Sequence, residues 1–313
     1  MLGELPKSFG KTFAVGYLLP AVAISIVILL IFETFGVNTH VPALFENKDV
    51  IGATFLTFAI WLFAVALMAL NYPIIRLLEG YGRFNPFHLV GWRLTAEFRE
   101  LRKSASSAEK TIGEAYAANK EPDPADIAQI TDALDRLAAE YPDDEKWLLP
   151  TRFGNVIRAF EVYPRVIYGL DSIPAWDRLI AVIPKDFREA IDDARSLMDF
   201  WVNLWIGSVI VSAIYFTLAI VNSAAPRLWI PSMALAFSLF TAVAARMLAG
   251  NWGALIKSAF DIYRSDLADK LKLNAPRSAE HERAMWQLVS QVMIYRSSAA
   301  ADRITQYRKH DVK

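Results

Sequence analysis

No cysteine occurs in the sequence, and that single absence excludes disulfides, thiolate metal sites, cysteine nucleophiles and palmitoylation. Net charge is absent as well: 33 basic residues balance 33 acidic ones, so no overall field recommends nucleic acid as a partner. Strand signals are missing, since no segment alternates apolar and polar residues between turn residues and no Asn-Gly or Asp-Gly dipeptide is present. The absence with the most consequence is local. Charge is missing from the middle of four long apolar runs, Phe13 to Phe35, Val50 to Asn71, Trp201 to Asn222 and Trp229 to Leu248.

A hydrocarbon core about 30 Å thick is crossed by about 20 apolar residues of helix, and unpaired backbone amides there cost several kcal/mol. The four runs are therefore expected to be transmembrane helices. With 54% of residues hydrophobic, the 21% that are charged must be segregated elsewhere in the chain. The expected fold class is an all-α integral membrane protein: four transmembrane helices, and a helical cytoplasmic domain formed by the central segment and the C-terminal tail. Ala21, Val22 and Ala23 make a small-x-small triplet, but it lies in mid-run, so the first run reads as an uncleaved span rather than a signal peptide.

Basic residues set the orientation, because Lys and Arg are retained on the cytoplasmic side. Lys7 and Lys11 precede the first run, and Arg76, Arg83, Arg93, Arg99, Arg102 and Lys103 follow the second. The connection between them carries Glu46, Lys48 and Asp49, and Arg227 is a single dissenting charge between the third and fourth runs. Tyr72, Trp201, Trp205, Trp229 and Trp252 fall at the boundaries, where amphipathic rings favour the headgroup layer. The expected organisation is a cytoplasmic N-terminus (1–12), spans 1 and 2 (13–72), a cytoplasmic helical domain (73–200), spans 3 and 4 (201–248) and cytoplasmic C-terminal helices (249–313). The expected location is the cell membrane, with both ends cytoplasmic.

Helix signals mark the polar segments. Asn85 and Pro86 read as a cap and first turn, followed by Phe87, Val90, Leu94, Phe98 and Leu101 at helical spacing. Asp123, Pro124 and Asp126 start another helix with Ile127, Ile130, Leu134, Leu137 and Tyr141 as its apolar face, and Thr151 can cap a third. From Phe187 through Ile191, Ala194, Met198, Trp201 and Trp205 one helical face runs into the third span, which predicts a helix that starts well before the membrane. Trp252, Leu255, Ala259, Ile262 and Leu267 continue the fourth span past Gly250 and Gly253. These stalks are expected to carry movement between cytoplasm and membrane.

Within the spans, Ser208, Ser212, Tyr215 and Asn222 share one face of the third, which reads as helix packing or as the lining of a pore. Thr57, Ala64 and Asn71 make a sparser repeat on the second. No Asp, Glu, Lys or Arg stands in mid-membrane, which argues against a proton pump or ion-coupled transporter. At the exit of the second span, Asn71, Pro73, Arg76 and Glu79 read either as interfacial anchoring or as a candidate hinge, with a kink or hinge expected at Pro73 and Arg76 and Glu79 spaced to pair.

The densest polar constellation comprises Arg152, Asn155, Arg158, Glu161, Tyr163, Arg165, Tyr168, Asp171, Trp176 and Arg178. It reads either as a network of Arg-carboxylate pairs and tyrosine hydrogen bonds or as a site for an anionic ligand, since planar guanidiniums suit phosphate. Catalytic signatures are weak. The four histidines are scattered, the two S-x-x-K matches at Ser8 and Ser107 lack their companion motifs, and no cofactor or metal is implied.

Four spans are few to enclose a pathway in one subunit, so a channel would form along the axis of a homo-oligomeric ring. The plan of four spans, cytoplasmic ends and a divided helical mass is similar to that of bestrophin channels, in arrangement alone. The expected function is a channel-like or pore-forming protein gated through its helical domain. The alternative is a membrane-anchored sensor or scaffold offering Phe87 to Lys103 and Ser278 to Tyr295 to a cytoplasmic protein.

Overall fold

The computed structural model describes residues 7–37, 50–222, 229–274 and 276–309. The loop charges Glu46, Lys48, Asp49 and Arg227, and the histidines His40 and His310, lie outside the described residues. Regular structure among the described residues is helical, and the one β feature is an isolated antiparallel bridge between Leu273 and Arg308. In chain order the elements are α1 (Lys7–Phe13), a π-helical turn (Ala14–Leu18), α2 (Leu19–Thr34), α3 (Val50–Glu79), α4 (Gly91–Ala117), α5 (Pro124–Glu140) and α6 (Arg152–Tyr168). They continue with α7 (Ser172–Leu179), α8 (Lys185–Val221), α9 (Trp229–Lys270), α10 (Ala279–Tyr295) and α11 (Ser298–Ile304). Four helical stretches are long and apolar enough to cross a membrane: Gly10–Thr34, Val50–Glu79, Lys185–Val221 and Trp229–Lys270.

Two compact units divide the chain, one from Met1–Leu77 with Asp192–Ala249, the other from Leu78–Ile191 with Gly250–Lys313. In the first, Tyr17, Ala21, Ile24 and Ile31 pack with Ala64 and Leu67 of α3 and with Val211 and Tyr215 of α8. Lipid tails are as apolar as these side chains, so close van der Waals fit and polar contacts, rather than expulsion of water, hold such helices together. Residues 192–200, which sequence grouped with the polar mass, belong to this unit because Asp193 and Asp199 find partners on the first helix.

In the second unit α4 packs along α5, with Phe98, Leu101 and Ala105 against Ala133 and Tyr141. Asn85 does cap, but the helix it starts is a single 3-10 turn (Pro86–Leu89), and α4 begins afresh at Gly91. Asp123 accepts from the Ala125 amide at 2.9 Å and Thr151 from the Gly154 amide at 2.9 Å, so both expected caps start their helices. The apolar face expected for α5 is only partly used: Leu137 and Tyr141 pack inward, while Ile127 and Leu134 stand 43% and 50% exposed. Met285 and Trp286 of α10 are fully buried.

Helices α8 and α9 run unbroken for 37 and 42 residues, so α8 extends about 56 Å at 1.5 Å per residue. Gly253 does not weaken α9. It receives the Phe160 ring, which a Cβ there would meet at 2.3 Å. Pro73 lies inside α3, which continues six residues further to Glu79. The hydrogen bond lost at Pro73 is one bond, and the buried Ile74 and Leu78 hold the next turn in place. The helix ends instead at Gly80, whose φ of 99° is open to glycine without strain.

Candidate functional site

The first unit buries a carboxylate that sequence reasoning missed. Asp199, on α8, is 1% exposed. Its Oδ2 accepts from the Tyr17 hydroxyl at 2.9 Å, and its Oδ1 accepts from Asn71 Nδ2 on α3 at 3.1 Å. Three stretches of chain thus converge on one charge. Arg195, one turn earlier on α8, places Nε 3.8 Å from Oδ2, but half of its side chain is in solvent. Removing an ion from water costs several kcal/mol even after relaxation, so hydrogen bonds from every side are the condition for keeping it there.

The local backbone prepares this cluster. The π turn at Ala14–Leu18 takes the Leu19 amide to the Ala14 carbonyl, five residues back, and the Gly16 carbonyl, four residues before Pro20 with its missing N–H, accepts from Asn203 Nδ2 at 2.9 Å. Asn203 is fully buried one turn beyond Asp199, on the same helical face. Both carboxamides use only their nitrogens: Asn71 Oδ1 and Asn203 Oδ1 are buried with no hydrogen-bond partner among the described residues. Amide flips do not relieve them, because each would set oxygen against oxygen. Lys11 and Asp193 form an ion pair on the same two helices, with both side chains accessible to solvent.

Placing the start of the third span at Trp201 left Asp199 with the polar mass, and Asn203 passed as one amide in an apolar run. The available signal was the pair Asp199 and Asn203 at helical spacing, flanked by Met198, Phe200, Trp201 and Val202.

The third-span face divides in the structure. Tyr215 is buried, with its ring edge-on to Phe35 at 5.3 Å, and so packs α8 against the first stretch. Ser208 and Ser212 donate to the carbonyls of Trp205 and Ser208, leaving their lone pairs to an open groove of about 520 Å³ shared with Ser232 and Ser238 of α9. Asn222 is exposed and donates to the Leu218 carbonyl at 2.8 Å. On the second span Ala64 and Asn71 are buried, whereas Thr57 is exposed.

Asn71 belongs to the Asp199 network, the Arg76 guanidinium stands 6.0 Å from the Tyr72 ring centre, and Glu79 is buried with its carbonyl accepting from the Thr151 hydroxyl at 3.0 Å. The first turn of α6 is thereby seated on the end of α3, so closely that a Cβ on Gly154 would lie 2.3 Å from the Glu79 carbonyl oxygen.

In the second unit the arginine-rich constellation is extensively paired. Arg152 reaches Glu97 at 2.6 Å and Glu140 at 3.4 Å, and Arg136 reaches the other oxygen of Glu97 at 2.7 Å. Arg158 bonds Glu161 at 3.1 Å and the Tyr81 hydroxyl, and Arg165 lies 3.8 Å from Asp171. Asn155 grips Leu149 through both its amide and its carbonyl. Tyr163 and Tyr168 donate to Asp261 at 3.0 and 2.7 Å. Burial first, and then the Asp261 carboxylate, raise both phenols above their ordinary range. Arg264 lies 4.1 Å from the Tyr168 ring centre and bonds Glu282. Trp176 packs on Phe260, and Arg178 donates to the Pro174 carbonyl of its own helix.

A cleft of about 530 Å³ opens beside this network, with Phe98, Leu137, Tyr141 and Val162 as apolar walls and Arg102 and Lys257 as its cations. Of the two expected docking helices, α10 spends its apolar face internally through Met285, Trp286, Leu288 and Val289. The other segment leaves Leu89 and Trp92 exposed, at 80% and 65%. No family model, curated protein or solved structure matches the chain.

Proposed function

We propose that the chain is a multi-pass protein of the cell membrane, with both ends cytoplasmic, whose copies assemble around a common axis as a channel-like pore gated through the helical mass of 73–200 and 249–313. The observation that carries this reading is the groove of Ser208, Ser212, Ser232 and Ser238. Ser208 and Ser212, whose hydroxyls donate to their own helix, present only lone pairs outward, a lining that suits a hydrated cation or a neighbouring helix in a ring. Four apolar stretches supply the spans, and the Lys and Arg beside them supply the orientation.

Liposome flux tests it. Purified wild type is expected to pass a small monovalent ion, and Ser212→Trp, which fills the groove, is expected to lose the flux while remaining inserted. A strictly monomeric particle in both mild detergent and lipid, or equal flux in the two proteins, overturns the reading. The scaffold reading is favoured by exposed Phe84, Leu89 and Trp92 beside Arg83 and Arg93, a surface suited to a cytoplasmic protein or an anionic headgroup. Absence of flux together with capture of a partner lost in Trp92→Ser supports it.

A further inference from the structure

The oxygens left over around Asp199 have a chemistry of their own. Asn71 Oδ1 and Asn203 Oδ1 are buried acceptors with no donor among the described residues, and a buried acceptor left so is destabilising. Both belong to carboxamides whose nitrogens are committed, one to the Asp199 carboxylate and one to the Gly16 carbonyl. Tyr17, Asn71 and Arg195 all turn donor groups toward Asp199. Its countercharge, Arg195, stands beyond hydrogen-bond length and half in solvent. What the cluster lacks is a positive centre that accepts oxygen lone pairs.

We propose that the Asp199 carboxylate and the carboxamide oxygens of Asn71 and Asn203, with the Gly16 carbonyl and Tyr17 hydroxyl beside them, bind a monovalent hard cation of the sodium class. Oxygen ligands without nitrogen or sulfur select hard ions over transition metals. A single carboxylate, already partly balanced by Arg195, matches one positive charge and not two. Magnesium retains much of its water and fits poorly where the ligands are neutral amides. The ion would tie together the first helical stretch, α3 and α8, and this binding does not depend on whether the protein conducts.

The test uses the full chain in detergent at fixed pH and fixed ionic strength, with sodium replaced stepwise by N-methylglucamine. Thermal stability is expected to rise saturably with sodium, and radioactive sodium to bind at one ion per chain. Asp199→Asn, close to isosteric, is expected to lose both, and Asn203→Ala to weaken binding by tenfold or more. Identical melting in the two cations without saturable sodium binding to wild type overturns the proposal, as does an undiminished sodium effect in Asp199→Asn. Wild-type measurements alone decide the matter where a variant fails to fold. Sodium binding without flux upholds this site and sinks the channel.

Discussion

Asn71 Nδ2 donates to Asp199 Oδ1 at 3.1 Å, joining α3 to α8 across 128 residues of sequence. The bond meets the one from Tyr17, so a single carboxylate fastens three spanning-length stretches at a point where the surrounding packing is apolar. Because the charge is buried, each donor to it matters more than an ordinary surface hydrogen bond.

Tyr17→Phe removes one of those donors and leaves the ring in place. A hydrogen bond to a buried charge contributes about 1.5–3 kcal/mol, so unfolding in detergent is expected to show a loss of that order. In a double-mutant cycle, Tyr17→Phe is expected to cost far less when Asp199 is already Asn. Additive losses would contradict the coupling.

Gly154 and Gly113 make a matched pair. Gly154→Ala forces a methyl group onto the Glu79 carbonyl and is expected to cost about 1–3 kcal/mol, whereas Gly113, on α4, has nothing within 4 Å of its missing Cβ. Gly113→Ala is therefore expected to stabilise by about 1 kcal/mol, through helix propensity alone. Thermal unfolding of both variants checks the contrast in sign.

Tyr141 governs an alkaline transition. Burial, and then the Glu97 carboxylate, push its phenol from 10.0 up to about 12. Keeping it neutral contributes stability that is complete below the unfolded value of 10.0 and is lost as pH rises through about 12. Tyr141→Phe should remove one of the late ionisations seen in tyrosinate absorbance, beside those of Tyr163 and Tyr168, and that variant should lose less stability across the same window.

Arg152→Gln separates network from anion site. Glu97 would keep only Arg136 and Glu140 would lose this partner, so a loss of roughly 1 kcal/mol is expected, as for a partly exposed ion-pair network. Phosphate is expected to leave the stability of wild type and variant equally unchanged. A phosphate-dependent stabilisation confined to wild type would favour the anion site.

Much of the fold was legible because its signals are local. Uncharged runs of span length, the caps Asp123 and Thr151, and the unbroken face from Phe187 into the third run depend only on neighbouring residues, and the structure has each as a helix or a cap. What escaped depends on partners far along the chain. Nothing near Pro73 announces that Ile74 and Leu78 will hold the helix together, and nothing near Asp199 names Tyr17 or Asn71 as its donors. The π turn at Ala14–Leu18 has no sequence signature, and Pro20 announces a Gly16 carbonyl without its helical donor but not that Asn203 will supply one. The arginine constellation was found by its composition, while its partners Glu97, Glu140 and Asp261 lie on other helices.

Membrane topology is the claim beneath all the others, and the cysteine-free sequence allows it to be measured without background. Single cysteines at Val50, Asp135 and Arg303, in sealed vesicles of known sidedness, can be probed with a maleimide that does not cross membranes. Labelling of Val50→Cys from the outer face only, and of Asp135→Cys and Arg303→Cys from the cytoplasmic face only, is the expected result. Labelling of Asp135→Cys from outside, or recovery of the intact chain from detergent-free buffer, would contradict it.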